Sequence, residues 1–209
     1  MTTIGFLHTA EVHVGTFRGL LRELGPGSAD VHVVDESLLT DARERGVDAD
    51  LERRLLARLR EVAAENPDVI VCTCSTLSSH AERMSEDVGR PVLRVDRPMA
   101  EAAVAAGRRI AVVATVQSTL APTRELLASC ARPDTEIVES LCADAWPLFE
   151  AGDHDGYIRR VAEHARSLDA DVIVLAQASM APAEEFLGGK ALSSPRAAVR
   201  RAVETADSV

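Results

Sequence analysis

Short apolar, β-branched runs recur along the chain, and a longer stretch with helical spacing follows most of them. The runs cover 4–8, 31–34, 69–74, 92–95, 110–114, 136–139, 172–175 and 191–193. Between them Leu51, Leu55, Leu59 and Val62 recur at three to four residues, as do Ile158, Val161 and Ala165, and more loosely Leu120, Leu126 and Leu127. That spacing lines one face of a helix, so the alternation predicts βαβ units. The runs are almost uniformly apolar rather than alternating, as parallel strands covered on both faces require.

The pattern also repeats. Asp68-Val69-Ile70-Val71 and Asp171-Val172-Ile173-Val174 are identical and lie 103 positions apart. Ile4-Gly5-Phe6-Leu7-His8-Thr9 resembles Ile110-Ala111-Val112-Val113-Ala114-Thr115 at an offset of 106, and the segment from Pro91 resembles that from Lys190 at 99. Three similar offsets in the same order predict an α/β fold of two pseudo-symmetric parallel-sheet halves, with helices on both faces of each sheet. Ligands of open parallel sheets bind beyond the carboxyl ends of the strands, so the active-site cleft is expected between the halves. The boundary falls near Arg97 and Pro98. Residues 1–97 plus 194–209 form the first half, with a returning C-terminal helix from Ser194 to about Ala206, and 98–193 form the second.

Composition narrows the partners. The chain has 209 residues, 3% aromatic content and a formal charge of -10, which offers neither stacking platforms nor a cationic surface for nucleic acid. Its longest apolar runs fall far short of the roughly 20 residues that span a bilayer, and the N-terminus has no export signal, so a cytoplasmic location without membrane contact is expected. Cys72, Cys74, Cys130 and Cys142 are too sparse for a disulfide scaffold. A homodimer or higher homo-oligomer fits a chain of this size.

The candidate chemistry sits at strand exits. Cys72-Thr73-Cys74-Ser75-Thr76 ends the third run, and period two puts both cysteines on one side, with Cys74 at the exit where N–H groups can activate a thiol. Two buried, inert thiols are the alternative. A C-x-C pair without a second ligand pair is no zinc centre, so no metal is expected. The equivalent place in the second half reads Leu175-Ala176-Gln177-Ala178-Ser179-Met180, where Gln177 can hydrogen bond but cannot carry a proton. His8 and Thr9 end the first run, and residues 115–119 end the fifth, with Thr115, Ser118 and Thr119 offering hydroxyls and N–H groups to a small carboxylate. Ser118 or Thr119 also suits a helix cap. His8 suits proton exchange near neutral pH, while Asp35 and Glu36 are candidates best matched by a solvated loop. No G-x-G-x-x-G, Walker loop, G-x-S-x-G elbow or H-E-x-x-H is present, which leaves cofactor-free chemistry.

These segments resemble the aspartate/glutamate racemase superfamily, which includes hydantoin racemases, maleate isomerases and arylmalonate decarboxylases. Cys74-Ser75-Thr76 matches the family's cysteine and small polar residues at the third-strand exit. Leu175 to Met180 lines up with a hydantoin-racemase segment like L-G-C-A-G-M, with Gln177 in the cysteine position. Residues 115–119 resemble the family's carboxylate-binding turn. The resemblance implies a cofactor-independent racemase or isomerase acting on a small carboxylate or amino-acid-like substrate. Cys74, Gln177 and His8 would be catalytic, and Thr9, Ser75, Thr76, Thr115, Ser118, Thr119 and Ser179 would bind substrate. A two-base racemase uses one thiolate to remove the Cα proton and an opposing thiol to return one. With Gln177 in place of the second thiol, a one-cysteine lyase, decarboxylase or hydrolase and a non-catalytic carboxylate-binding protein stand as alternatives.

Overall fold

The computed structural model of the chain describes residues 2–208, and these divide into two compact units. Asp96–Ser194 form one, and the residues up to Val95 together with those from Pro195 onward form the other.

The first unit contains β1 (Thr3–His8), α1 (Val12–Leu24), β2 (Ala29–Val34), α2 (Glu36–Arg45), α3 (Ala49–Ala64), β3 (Val69–Cys72), α4 (Ser78–Arg83), α5 (Ser85–Val88) and β4 (Val92–Arg94). Its sheet is parallel throughout, in the order β2-β1-β3-β4. The two central strands bury almost every residue, so helices must cover both faces. Gly5 and Leu7 face α3, which presents Leu51, Leu55, Leu59 and Val62, all fully buried. Each such side chain contributes about 1.5–3 kcal/mol. A Cβ on Gly5 would collide with Val62 Cγ1, so only glycine lets α3 lie this close. Alternation turns Phe6 and His8 to the other face, against Phe17 of α1.

The second unit contains α6 (Arg97–Ala106), β5 (Arg109–Ala114), α7 (Gln117–Cys130), β6 (Glu136–Leu141), α8 (Trp146–Glu150), α9 (His154–Arg166), β7 (Val172–Leu175) and β8 (Ala191–Ser193). Its sheet is also parallel, in the order β6-β5-β7-β8. Ile110, Val112 and Val174 pack into one core with Met99, Ala103, Leu120 and Leu127. Val113, Ile173 and Leu175 pack into another with Tyr157, Val161 and Ala165. Alternation along β5 and β7 thus feeds both faces. The last helix, α10 (Ser194–Ala206), returns to the first unit, where Arg196 makes two 2.8 Å bonds to Glu23.

The sequence repeat has a hydrogen-bond counterpart. Asp68 Oδ2 accepts the Thr3 N–H at 2.8 Å, and Asp171 Oδ2 accepts those of Arg108 and Arg109 at 2.9 Å, so the same aspartate ties the base of the central strands in each unit. Thr73 N–H donates to Leu7 O as Ala176 N–H donates to Val113 O, which aligns the two exits.

Three expectations need correction. The edge strands β2 and β6 are only partly buried, so their sequences carry Asp30, His32, Glu136 and Glu139. β3 stops at Cys72, which frees Cys74 from the strand's two-residue alternation. α7 starts at Gln117, so Ser118 and Thr119 lie inside its first turn and do not cap it. Among the described residues no helix is long and apolar enough to cross a membrane.

Candidate active site

Cys74 begins the turn that leads from β3 into α4. Its carbonyl accepts the N–H groups of Leu77 and Ser78 at 3.0 and 2.9 Å and the Ser78 hydroxyl at 2.8 Å, which winds the chain sharply. The winding aims donors back at the sulfur. The Thr9 and Thr76 hydroxyls and the Thr76 and Leu77 N–H groups lie near the thiol, and each favours its thiolate form. Burial nevertheless dominates and pushes the Cys74 thiol above its ordinary value. The expected activation by N–H groups is therefore outweighed by burial in the resting state: Cys74 rests protonated, within a set of donors that would stabilise its thiolate. Thr73, Ser75, Thr76 and Thr9 are buried around it, a polar lining in an otherwise apolar region.

His8 stands one residue from Thr9 but presents no unoccupied nitrogen. Nδ1 lies 2.9 Å from Thr73 Oγ1 and Nε2 lies 2.8 Å from His32 Nδ1. Beyond, His32 Nε2 is 2.7 Å from Asp30 Oδ2, which also takes the Arg18 Nε–H at 2.6 Å. The His8 ring is fully buried between aromatic neighbours Phe6, Phe17 and His32. Burial, then the charge of His32, lower its pKa to about 3, and burial lowers that of His13 on α1 to about 4. Both are neutral in the folded protein at neutral pH, so His8 has no proton to lend there.

Neutral burial of two histidines makes stability depend on pH. An unfolded histidine gains its proton near pH 6.5, while the folded chain resists until about pH 4 or 3. The unfolded state therefore binds more protons in that window, and stability falls as pH falls through it, by about 1.4 kcal/mol per pH unit for each histidine kept neutral. Thermal unfolding between pH 7.5 and 5 is expected to show the midpoint dropping with acid. A flat profile over that range would contradict neutral burial.

In the second unit Gln177 follows the end of β7, and its side-chain oxygen takes three hydrogen bonds. Thr115 N–H donates at 2.6 Å, Thr115 Oγ1 at 2.9 Å and Val116 N–H at 3.2 Å. The turn at 115–119 was expected to offer these donors to a carboxylate; the Gln177 carbonyl occupies them in its place. Ser179 joins the same group through the Tyr157 hydroxyl, 2.8 Å away and itself 3.4 Å from Thr115 Oγ1. Burial raises the Tyr157 phenol to about 12, so it is neutral. Ser118 and Thr119 follow in the first turn of α7.

Asp35 proves structural: it caps α2 by accepting the Ser37 N–H at 3.1 Å and pairs with Arg58 at 3.0 Å. Glu36 accepts the Glu11 N–H at 3.3 Å. Sequence reasoning passed over Thr73, His32, Asp30 and Tyr157. The Asp-x-His spacing on β2 was the available signal for two of them. Among the described residues no group of three or more His, Cys, Asp or Glu side chains is placed to hold a metal.

The profile of the Asp/Glu/Hydantoin racemase family matches residues 10–202, nearly the whole chain. The chain belongs to that family. It is similar to the glutamate racemase of Synechocystis sp., with 32% identity over 129 residues, covering 58% of this chain and 46% of the relative. The glutamate racemase of Rippkaea orientalis is 26% identical over 165 residues, 76% of this chain and 56% of its own. The chain thus spans about half the length of the curated relatives it matches. Among solved structures, Picrophilus torridus aspartate racemase superposes with a TM-score of 0.79 at 11% identity, covering 99% of this chain and 95% of its own. Its fold is that of the Asp/Glu racemase family. The family match agrees with the two parallel sheets; the polar chain behind His8 and the engagement of Gln177 are read from this chain's own side chains.

Proposed function

We propose that this member of the Asp/Glu racemase family is a cofactor-independent enzyme that moves the Cα proton of a small amino-acid-like carboxylate by means of Cys74. The observation that carries this reading is the convergence of the Thr9 and Thr76 hydroxyls and the Thr76 and Leu77 N–H groups on one buried thiol. Those donors stabilise a thiolate where it forms, and the surrounding burial makes that thiolate a strong base. Ser75 and Thr76 line the same pocket of polarity, while Ser118, Thr119 and Ser179 are the proposed carboxylate-side residues of the second unit, and Thr115, whose N–H and hydroxyl go to Gln177, holds the turn before them.

Gln177 takes the part of a positioning residue rather than an acid. Its oxygen is committed to Thr115 and Val116, and an amide has no proton to deliver to a carbanion. The proton taken by Cys74 exchanges with solvent while on the thiol, and Cys74 then returns a solvent-derived proton, mainly to the face the first one left. In deuterated water, with a panel of amino acids and hydantoins, Cα exchange read by proton NMR is expected to exceed inversion read by chiral chromatography. Inversion as fast as exchange would show a second acid at work and sink the one-base reading. Burial of Cys74 favours a second reading, a non-catalytic carboxylate-binding protein, for which binding without exchange of any substrate is the expected result.

A further inference from the structure

Behind the thiol lies an unbroken chain of polar side chains: Arg18, Asp30, His32, His8 and Thr73. It starts at the partly exposed Asp30 and ends beside Cys74. We propose that Asp30, His32 and His8 form a tautomer relay that sets the direction of the Thr73 hydroxyl next to Cys74, and that a single proton entering the histidine pair reverses it. These three are positioning residues for the Cys74 turn, an assignment that rests on the proposed role of that thiol.

The donors along the chain can be counted from one end. The Asp30 carboxylate only accepts, so His32 carries its proton on Nε2. In the neutral pair the His32 Nδ1 is then bare and accepts from His8 Nε2–H, which leaves His8 Nδ1 bare in turn. The Thr73 hydroxyl completes the chain by donating to it. One added proton leaves every link made but turns the far end. His8 Nδ1–H now donates to Thr73 Oγ1, and the Thr73 hydroxyl donates instead to the Leu7 carbonyl, 3.1 Å away. That proton is shared between His8 Nε2 and His32 Nδ1. A second proton would set two N–H groups against each other across 2.8 Å, so the pair takes one and no more.

The reversal matters at the site because Leu7 O already accepts the Thr73 N–H at 3.0 Å, the bond that ties the exits of β1 and β3. Thr9, whose hydroxyl lies near the thiol, leaves from one of these exits, and Cys74 leaves from the other. Around the pair stand His13 and Arg18 from α1, Glu11 just before it and Asp30 on β2. Asp30 is the anion in direct contact with the pair, while Arg18 and His13 oppose a proton there. The relay is therefore neutral at neutral pH and reverses in acid.

The test uses the full chain with 15N-labelled histidine, followed by NMR from pH 8 down to pH 2, past the range in which burial holds His8 neutral, together with the pH profile of Cα exchange. At pH 7.5 both rings are expected with Nε2 protonated and Nδ1 bare, and on acidification their signals should move together for one proton in total. Asp30→Asn removes the anion and should shift that joint transition down by on the order of one pH unit. The acid limb of the exchange profile should shift with it, whereas a merely structural role would lower exchange equally at all pH values. His8→Asn keeps a partner for Thr73 but breaks the pair, so His32 should then titrate alone. Independent titration of the two rings in the unaltered chain, or a His8 proton on Nδ1 at pH 7.5, would overturn the relay, as would an acid limb unmoved by Asp30→Asn. Should no substrate exchange at all, the proposed function falls while the NMR result still decides the relay.

Discussion

Serine in place of Cys74 is expected to lower the rate of Cα proton exchange by on the order of 10²–10⁴-fold, the loss that follows removal of a positioned general base. A hydroxyl fits the same space beside the same four donors, so folding should be little disturbed. The difference lies in acidity, because an alcohol yields its proton far less readily than even a thiol whose pKa burial has raised. Alanine should be equally inactive, but by removing the sulfur altogether. Intact unfolding midpoints for both variants would confirm that chemistry alone was lost. Retained exchange in Cys74→Ser would move the base elsewhere. His8 would be a poor replacement, since both of its nitrogens are engaged and burial keeps it uncharged.

Leucine in place of Gln177 is expected to destabilise the second unit strongly. The Gln177 oxygen is the acceptor for the Thr115 N–H, the Thr115 hydroxyl and the Val116 N–H, and both donor residues are buried. Leucine has nearly the same volume but no acceptor, and each buried donor left dry costs about 1–3 kcal/mol. For a chain of this size each kcal/mol lowers the melting midpoint by about 2–4 °C. Gln177→Glu keeps an oxygen for the same donors and should recover most of the loss, as denaturant unfolding of the three proteins would show. Equal stability of the leucine variant and the unaltered chain would mean that the turn does not depend on this residue.

The balance between what was legible and what was not follows the range of each interaction. Apolar runs and helical spacing are local, and they located all eight strands of the described residues and the buried stripe of α3, because a strand or helix must hide a particular face whatever it packs against. The repeated Asp-Val-Ile-Val was legible for the same reason. It performs the same local task in each unit, with its aspartate closing the base of the sheet. Cys74 could be singled out because a strand exit before a helix is a recognisable place for chemistry, and family resemblance sharpened that choice.

The linear order of residues thus carries the two parallel sheets, the faces the helices bury and a thiol at the third exit. The state of those groups was set only by folding. The burial that raises the Cys74 pKa depends on side chains brought in from distant positions, and no spacing along the chain encodes that desolvation. The His8–His32 contact depends on the β1–β2 register, which pairs Phe6 with His32 and sets His8 on the diagonal. Gln177 meets Thr115 only because β5 and β7 lie side by side with their exits level, which brings residues 62 positions apart within hydrogen-bond reach. Periodicity is a property of one segment, whereas protonation and hydrogen-bond partners belong to whatever the fold places across from it.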